Sequence, residues 1–551
     1  MSARCRLVFL GGLGEVGRNI ACLEIDDDVL VLDAGLSFPT EDMPGVDLVL
    51  PDYQYLRERQ DRIAGVVLTH GHEDHMGALP YILKEIALEI WAPPLALGLL
   101  RPKLEEHGVT ERATLHELRA GDEARVGPFT VRAIRVTHSI PEGLALAIDT
   151  PFGTVLHSGD FRLDPTPVDG RATDLQAFGE EGRRGVHVFL SDSTNAEDPG
   201  IIPSERTVGP ELLRIFEGAS RRVVAACFSS HIHRIQQICD AALAVGRRIA
   251  FFGRSMHHAV AQARELGHLH VPEDAILDIE EIAKLPPEQV AVICTGSQGE
   301  PLSALSLMAA REHKWVKLEE GDTVVIAASL IPGNEVAIHR TIDGLFRTGA
   351  DVFHTGIAHV HVSGHAAAEE LKFMLGLVTP RWFIPIHGER RHLSHHAKLA
   401  REVGIPDERI LICEDGDVVE IGEKVEVVDR VEAGMVLVDG LGIGDVGAVV
   451  LRDRRKLAGD GVVIVVVTAD AQSGELLAGP DIVTRGFVHD ESSAEMLEEA
   501  RRRTRESLEA VAREEVGDPA ILKQHVRRTL GRYFFEVTKR KPVILPVIME
   551  V

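Results

Sequence analysis

The sequence predicts an α/β protein of three units, the first of them discontinuous. Three observations carry that reading. At roughly 150 residues per domain, 551 residues correspond to three or four domains or to one large fold with insertions. Short apolar strands separated by Gly and Asp turns fill the first 200 residues, and longer strands and helices alternate from about Ser204, the pattern of a mostly parallel sheet. Histidine-rich loops of the first kind then return between residues 351 and 386, so the alternating segment reads as an insertion into a domain whose two halves flank it.

In the first part of that domain, residues 1–203, strands are expected at 6–10, 20–25 and 29–32, with Asp26-Asp27-Asp28 turning between the last two. A strand at 66–69 runs into a histidine cluster, a helix follows at 80–86, and strands recur at 131–136, 144–148, 155–156 and 186–190. The inserted unit, 204–350, alternates helices at 211–217 and 232–243 with strands at 223–227, 249–252, 290–294 and 323–327. The first domain resumes over 351–450. A basic run, Arg452-Asp453-Arg454-Arg455-Lys456, marks a linker at 451–460. The closing unit, 461–551, holds a strand at 462–468, helices at 493–514 and 520–530, and a last strand at 543–551.

Composition narrows the function. The 59 Lys+Arg against 85 Asp+Glu leave a formal charge of −26, a bulk field that repels nucleic acid and acidic membranes from the surface at large. Aromatic residues are only 5%, too few for a binding face built mainly from stacked rings. No basic start, apolar core and cleavage site come together at the N-terminus, so no secretory leader is expected. The longest apolar runs, such as 461–468, are far too short to span a bilayer, and no membrane partner is expected. Cys5, Cys22, Cys227, Cys239, Cys294 and Cys413 form no CxxC pair, which argues against a disulfide framework and fits a reducing cytoplasm.

Gly12-Leu13-Gly14-Glu15-Val16-Gly17 matches the dinucleotide fingerprint, with Asp33 not far beyond. That fingerprint needs a helix opening at the glycines to hold a pyrophosphate. Residues 20–25 alternate like a strand instead, so a glycine-rich hairpin is expected.

The strongest signal is His70-Gly71-His72-Glu73-Asp74-His75: four potential ligands within six residues, on a loop leaving a buried strand. Zinc takes imidazole nitrogen and carboxylate oxygen. His138, Asp160 in Ser158-Gly159-Asp160 and His387 in Pro385-Ile386-His387-Gly388-Glu389 each follow an apolar run. Any one of these alone reads more simply as a core or surface residue. Together the seven suffice for two metals sharing a carboxylate.

HxHxDH followed by isolated His, Asp and His resembles the metallo-β-lactamase superfamily, an αββα sandwich with metals at one edge of its two sheets. The resemblance implies that His70, His72 and His138 hold one ion and Asp74, His75 and His387 the second, with Asp160 bridging them. Glu73, at the variable position, is then no ligand. Two divalent ions are expected, zinc first and manganese as the alternative activating metal. Two metals about 3.5–4 Å apart lower the pKa of a shared water and clamp an in-line displacement at phosphorus.

An α/β insertion ahead of the last metal histidine resembles the β-CASP nucleases, and Asp192, His365 and His387 fit that branch's motif residues in order. Residues 11–19 (GGLGEVGRN), the HGHEDH hexad, 192–195 (DSTN), 296–301 (GSQGEP), 361–365 (HVSGH) and 539–543 (KRKPV) are together similar to the ribonuclease J family, from residue 7 to the end of the sequence. The resemblance implies a cytoplasmic ribonuclease of mRNA decay and rRNA maturation. Such an enzyme degrades single-stranded 5′-monophosphorylated RNA from 5′ to 3′ and also cuts internally, by two-metal hydroxide attack on the phosphodiester. Asp74, Asp192 and His365 are then the catalytic residues: His365 gives a proton to the leaving 3′-oxygen, and Asp192 orients either His365 or the attacking water. His361, Val362, Ser363, Gly364 and His365 would bind substrate, together with Ser229, Ser230 and His231. Asp47 would hold a structural calcium or other divalent ion. The C-terminal unit would support a homodimer or homotetramer, with RNA-decay proteins as further partners.

Plainer readings stand beside these: the serines as helix N-caps, and Asp192 as a strand-end turn former. Arg221-Arg222, Arg247-Arg248 and Arg390-Arg391 either line an RNA channel or are solvated faces. The competing functions are a small-molecule ester or thioester hydrolase on the same metal site, and a non-catalytic RNA-decay subunit. The large insertion and HVSGH argue against the first, and the full set of seven ligands against the second.

Overall fold

The computed structural model describes residues 4–40, 42–300, 303–329, 334–471, 475–488, 493–514 and 519–551. Pro301, which closes the 296–301 stretch, lies outside them. The chain forms two compact units: Met1–Phe38 with Leu48–Val436, and Pro39–Asp47 with Leu437–Val551.

Two sheets make the body of the larger unit. One has eight strands in the order Val425–Arg430, Asp417–Ile421, Cys5–Gly11, Ile20–Ile25, Asp28–Leu32, Ile63–Val67, Leu88–Ala92 and Ala113–Glu117. The other has six: Trp382–Ile386, Val186–Asp192, Gly153–His157, Leu144–Thr150, Phe129–Arg135 and Glu123–Val126. Leu7, Phe9, Leu23, Leu30 and Leu32 of the first sheet share a core with Val131, Leu146, Ile148, Val155, Val188 and Ile384 of the second. Alternate residues of the second sheet, including Ile134, Ala145, Ala147, Phe189 and Phe383, face outward onto Phe178, Leu371, Met374, Leu375 and Leu399, which come from three helices. Side chains alternate across a strand, so this two-sided burial gives the αββα sandwich.

Five strands, Arg248–Phe252, Val290–Cys294, Val223–Ala226, Thr323–Ile326 and Asp351–Phe353, form a separate sheet, parallel throughout. Val223 and Ala225 pack on one set of helices, Val224, Ala226 and Val292 on another. A parallel sheet covered on both faces has strands that read as unbroken apolar runs, hence the clear signal at 223–227 and 290–294.

The smaller unit holds a three-stranded sheet in the order Leu476–Arg485, Val462–Ala469, Val543–Glu550. Val463, Val465 and Val467 pack beneath Leu497, Leu508, Val526, Leu530 and Phe534 of helices Ala494–Glu514 and Pro519–Thr538.

The structure differs from expectation in several places. The basic run at 452–456 is helical, within Ala448–Asp460. The helix expected at 80–86 is only Leu79–Ile82, preceded by a one-turn helix Glu73–Met76. Strand Leu476–Arg485 was not foreseen, because Gly479-Pro480 interrupts its apolar alternation. At the fingerprint-like glycines there is no helix: Leu13–Gly14 is a short strand, and Gly12, Gly14 and Gly17 all have positive φ, a conformation glycine adopts without steric cost.

Candidate metal centre

Strand directions explain why scattered residues meet. Phe129–Arg135 and Gly153–His157 both run antiparallel to Leu144–Thr150, while Val186–Asp192 and Trp382–Ile386 run parallel to Gly153–His157. The C-terminal ends of four strands therefore open at one edge of the six-stranded sheet. His138, Asp160, Asp192 and His387 stand at those four ends. The HGHEDH loop, leaving Ile63–Val67 in the facing sheet, reaches the same edge.

There the seven expected ligands form two groups that share Asp160: His70, His72, His138 and Asp160, then Asp74, His75, Asp160 and His387. In the first, His72 Nδ1 lies 2.9 Å from His70 Nε2 and 3.2 Å from His138 Nε2. Asp160 Oδ2 is 3.7 Å from both of those Nε2 atoms. In the second, Asp160 Oδ2 is 3.2 Å from His75 Nε2 and 3.4 Å from His387 Nε2. Asp74 Oδ2 is 3.7 Å and 3.5 Å from the same two nitrogens. Glu73 pairs with Lys103 instead.

Most of the opposite ring nitrogens are held. His75 Nδ1 bonds Asp33 Oδ2 at 2.8 Å, His138 Nδ1 donates to the Gly364 carbonyl at 2.8 Å, and His387 Nδ1 meets Thr194 Oγ1 at 2.6 Å. Thr69 Oγ1 meets His70 Nδ1 at 3.0 Å and is itself tied to Asp33. Partners of this kind orient metal-binding imidazoles and set their tautomers.

The charges are paired across the cluster. Burial and neighbouring imidazoles lower His70 and His138, and burial brings His72 down to about 4. Burial also opposes charge on His75 and His387, yet Asp160 and the other carboxylates outweigh it and raise both. Asp160 is held well below the usual carboxylate range: the surrounding histidines overcome its burial. The buried His387 Nε2 has no hydrogen-bond partner and faces two carboxylates. Convergent imidazole nitrogens, carboxylate oxygens and an orphaned nitrogen suit a divalent cation.

Beside these groups, Asp192 Oδ2 accepts from His365 Nδ1 at 2.8 Å, and Asp192 Oδ1 lies 3.5 Å from His387 Nδ1. Asp192 also accepts from the Thr194 N–H and hydroxyl, so it turns the strand end and holds the histidine at once. Burial opposes charge on His365, but Asp192 raises it above the usual imidazole value.

The 361–365 stretch lies against the metal groups. A Cβ on Gly364 would fall 2.8 Å from the His138 ring, so only glycine fits. Ser363 Oγ accepts from Asn195 Nδ2 at 2.8 Å and from the His365 N–H at 3.2 Å, and Val362 is buried. His361 and His231 pack with ring centroids 6.1 Å apart. His231 is the N-cap residue of helix Ile232–Ala244 and makes no side-chain cap bond; Ser229 and Ser230 precede it, partly exposed.

The arginine pairs and Asp47 are placed as follows. Arg221 pairs with Glu319 and Asp322, Arg391 with Glu197 and Glu389, and Arg390 lies 3.8 Å from Glu414. Arg247 is buried, donating to the Ala219, Arg221 and Val290 carbonyls. Each of these arginines has a carboxylate or carbonyl partner, and Arg390 and Arg391 stay more than half exposed. Asp47 is exposed, accepts the Gly440 N–H at 2.7 Å, and belongs to none of the donor groups found among the described residues.

Sequence reasoning missed the buried residues behind the 361–365 stretch. Arg234 pairs doubly with Glu205 at 2.7 and 3.0 Å and donates to the Val360 carbonyl, and Arg162 donates to the Ser363 carbonyl at 3.0 Å. Long sequence separations left no spacing signal for them. Asp33 was noticed only as part of a false fingerprint.

Family models match four stretches: the metallo-beta-lactamase superfamily at 13–193, the ribonuclease J beta-CASP domain at 220–345, a Zn-dependent metallo-hydrolase RNA specificity domain at 352–411, and the ribonuclease J C-terminal domain at 449–551. The chain is 44% identical over 552 residues to ribonuclease J of Mycobacterium tuberculosis, covering 100% of this chain and 98% of that one. It is 41% identical over 541 residues to ribonuclease J 1 of Streptococcus pyogenes serotype M3, covering 98% and 96%. With ribonuclease J of Thermus thermophilus it shares 43% over 556 residues, covering 99% and 95%. A crystal structure of a protein of unknown function from Enterococcus faecalis V583 shares the fold, with a TM-score of 0.55 at 16% identity over 76% of this chain and 100% of that one. The chain belongs to the ribonuclease J family.

Proposed function

We propose that this protein is a metal-dependent ribonuclease that removes nucleotides from the 5′ end of monophosphorylated single-stranded RNA and also cuts internally. The observation that carries it is the pair of donor groups sharing Asp160, with the His365–Asp192 pair beside them. In this reading His70, His72 and His138 hold one divalent ion, Asp74, His75 and His387 a second, and Asp160 both, with zinc or manganese as the metal. Such a pair of ions supplies an acidified water and neutralises charge on the phosphoryl group.

The chain's own residues do the rest. Asp192 holds His365 Nδ1 and favours its protonated form, leaving Nε2 to give its proton to the 3′-oxygen as the P–O3′ bond breaks. Ser363, Gly364 and His361 would form a polar strip near the donor groups, suited to a terminal phosphate, with Ser229, Ser230 and His231 extending it. In its cellular role the enzyme would act in mRNA decay and rRNA maturation in the cytoplasm, as a homodimer or homotetramer.

The test uses RNA labelled at its 3′ end and carrying a 5′-monophosphate, triphosphate or hydroxyl, with added Zn²⁺ or Mn²⁺ and Asp74→Ala as the control. Rapid 5′ loss of the monophosphate substrate, absent in the variant, is the expected result. Equal rates on all three ends would retain the nuclease and remove the phosphate role of 361–365. No cleavage with either metal would overturn the reading.

A further inference from the structure

The glycine-rich stretch 11–19 opens no helix in this fold, and it is built tightly against the metal centre. One part of it pairs with the residues that follow His387, and its last residue reaches Asp74 and His75. Leu13 and Gly14 pair in parallel with Gly388 and Glu389, immediately after His387, which has a φ of 54°. A non-glycine residue in that left-handed region is strained, so it needs neighbours that hold it.

At the other end, Asn19 grips Asp74. The Asn19 N–H and its Nδ2 both donate to the Asp74 carbonyl, each at 3.0 Å. The same amide lies 3.5 Å from Asp74 Oδ2 and 3.1 Å from His75 Nε2. Asn19 in turn accepts the Gly35 N–H at 3.0 Å, and a Cβ on Gly35 would overlap the Asp74 carbonyl. Gly12 leaves room for the Asn19 amide: a Cβ there would stand 2.5 Å from Asn19 Oδ1. Arg18 anchors the stretch, donating to Glu15 at 2.6 Å and to the Gly434 carbonyl at 2.8 Å.

All three ligands touched or flanked, Asp74, His75 and His387, belong to one donor group. The histidines particular to the other group, His70, His72 and His138, are held by Thr69, Ser139 and Gly364 instead. We propose that the 11–19 hairpin is the brace of the second metal position and that Asn19 is its positioning residue, setting the affinity of one ion of the pair. The inference rests on the two-ion reading above.

Metal-free full-length protein titrated calorimetrically with Zn²⁺ tests it, comparing wild type with Asn19→Ala and with the milder Asn19→Ser, whose hydroxyl is too short to reach the Asp74 carbonyl. Gly12→Ala, which displaces the amide without removing it, is the independent variant. Wild type should take up two ions. In each variant one step should be unchanged and the other weakened about 10–100-fold, the range for losing a partner that orients a ligand. The unchanged step also shows that the variant is folded. Variants that titrate like wild type would overturn the inference alone, and so would equal weakening of both steps with a lowered melting temperature. Wild type taking up a single ion would overturn the two-ion reading and the inference with it.

Discussion

A single carboxylate decides how His365 can act. Asp192 is buried, and its oxygens are shared between Thr194, His365 and the neighbourhood of His387. Because that negative charge raises the imidazole's pKa, the acid form survives to higher pH than a free histidine would allow. Asp192→Asn removes the charge but keeps the shape. The proton is then lost at lower pH, so the alkaline limb of the kcat profile should move toward acid, read from rates on 5′-monophosphate RNA. An unchanged limb would mean that His365 is not the acid. His365→Ala should lower kcat by roughly 10²–10⁴-fold, the usual worth of a positioned proton donor, with the metal content intact.

At the scale of elements, two close approaches set the geometry. The 361–365 loop can touch His138 only because Gly364 has no side chain. Gly364→Ala should push the His138 ring aside and reduce bound metal per chain, measured by elemental analysis; full metal content would show that the loop can yield. Behind the same loop, Glu205 is buried against Arg234 and His231. Burial opposes its charge, but the Arg234 guanidinium, with the His231 ring beside it, holds it well below the usual carboxylate range. Glu205→Ala strands a buried guanidinium and should cost about 3–5 kcal/mol, seen as an earlier denaturant midpoint. The hexad and the residues that converge on it, His138, Asp160 and His387, were legible in the sequence because each follows an apolar strand and carries unusual chemistry. Asp33, Asn19, Arg162, Glu205 and Arg234 were not. They act on the ligands or the loop from distant positions, and a single polar residue has no periodicity to betray it. The arginine pairs stayed ambiguous for the opposite reason: adjacency in sequence says nothing of the carboxylates they pair with.

For the whole molecule, the fold was legible where burial is two-sided, as in the parallel strands around Val223–Ala226, and obscure in one-turn helices and in Leu476–Arg485. The charge of −26 was legible too, and the structure sharpens what it means for RNA. Arg221, Arg247, Arg390 and Arg391 lie beside carboxylates or carbonyls, and Arg162 and Arg234 are buried. Few of these are left to neutralise phosphates, whereas bound divalent ions would supply local positive charge inside a negative field. For single strands the logarithm of affinity falls with a slope of about −0.7 per phosphate neutralised, so two or three such contacts lose only roughly tenfold between 50 and 200 mM salt. Screening of the bulk repulsion should flatten that dependence further. Anisotropy titrations with an uncleavable 2′-O-methyl RNA should therefore show weak salt dependence and a larger loss of affinity on chelating the metal. A loss of a thousandfold or more over the same salt range would instead reveal an extended basic channel.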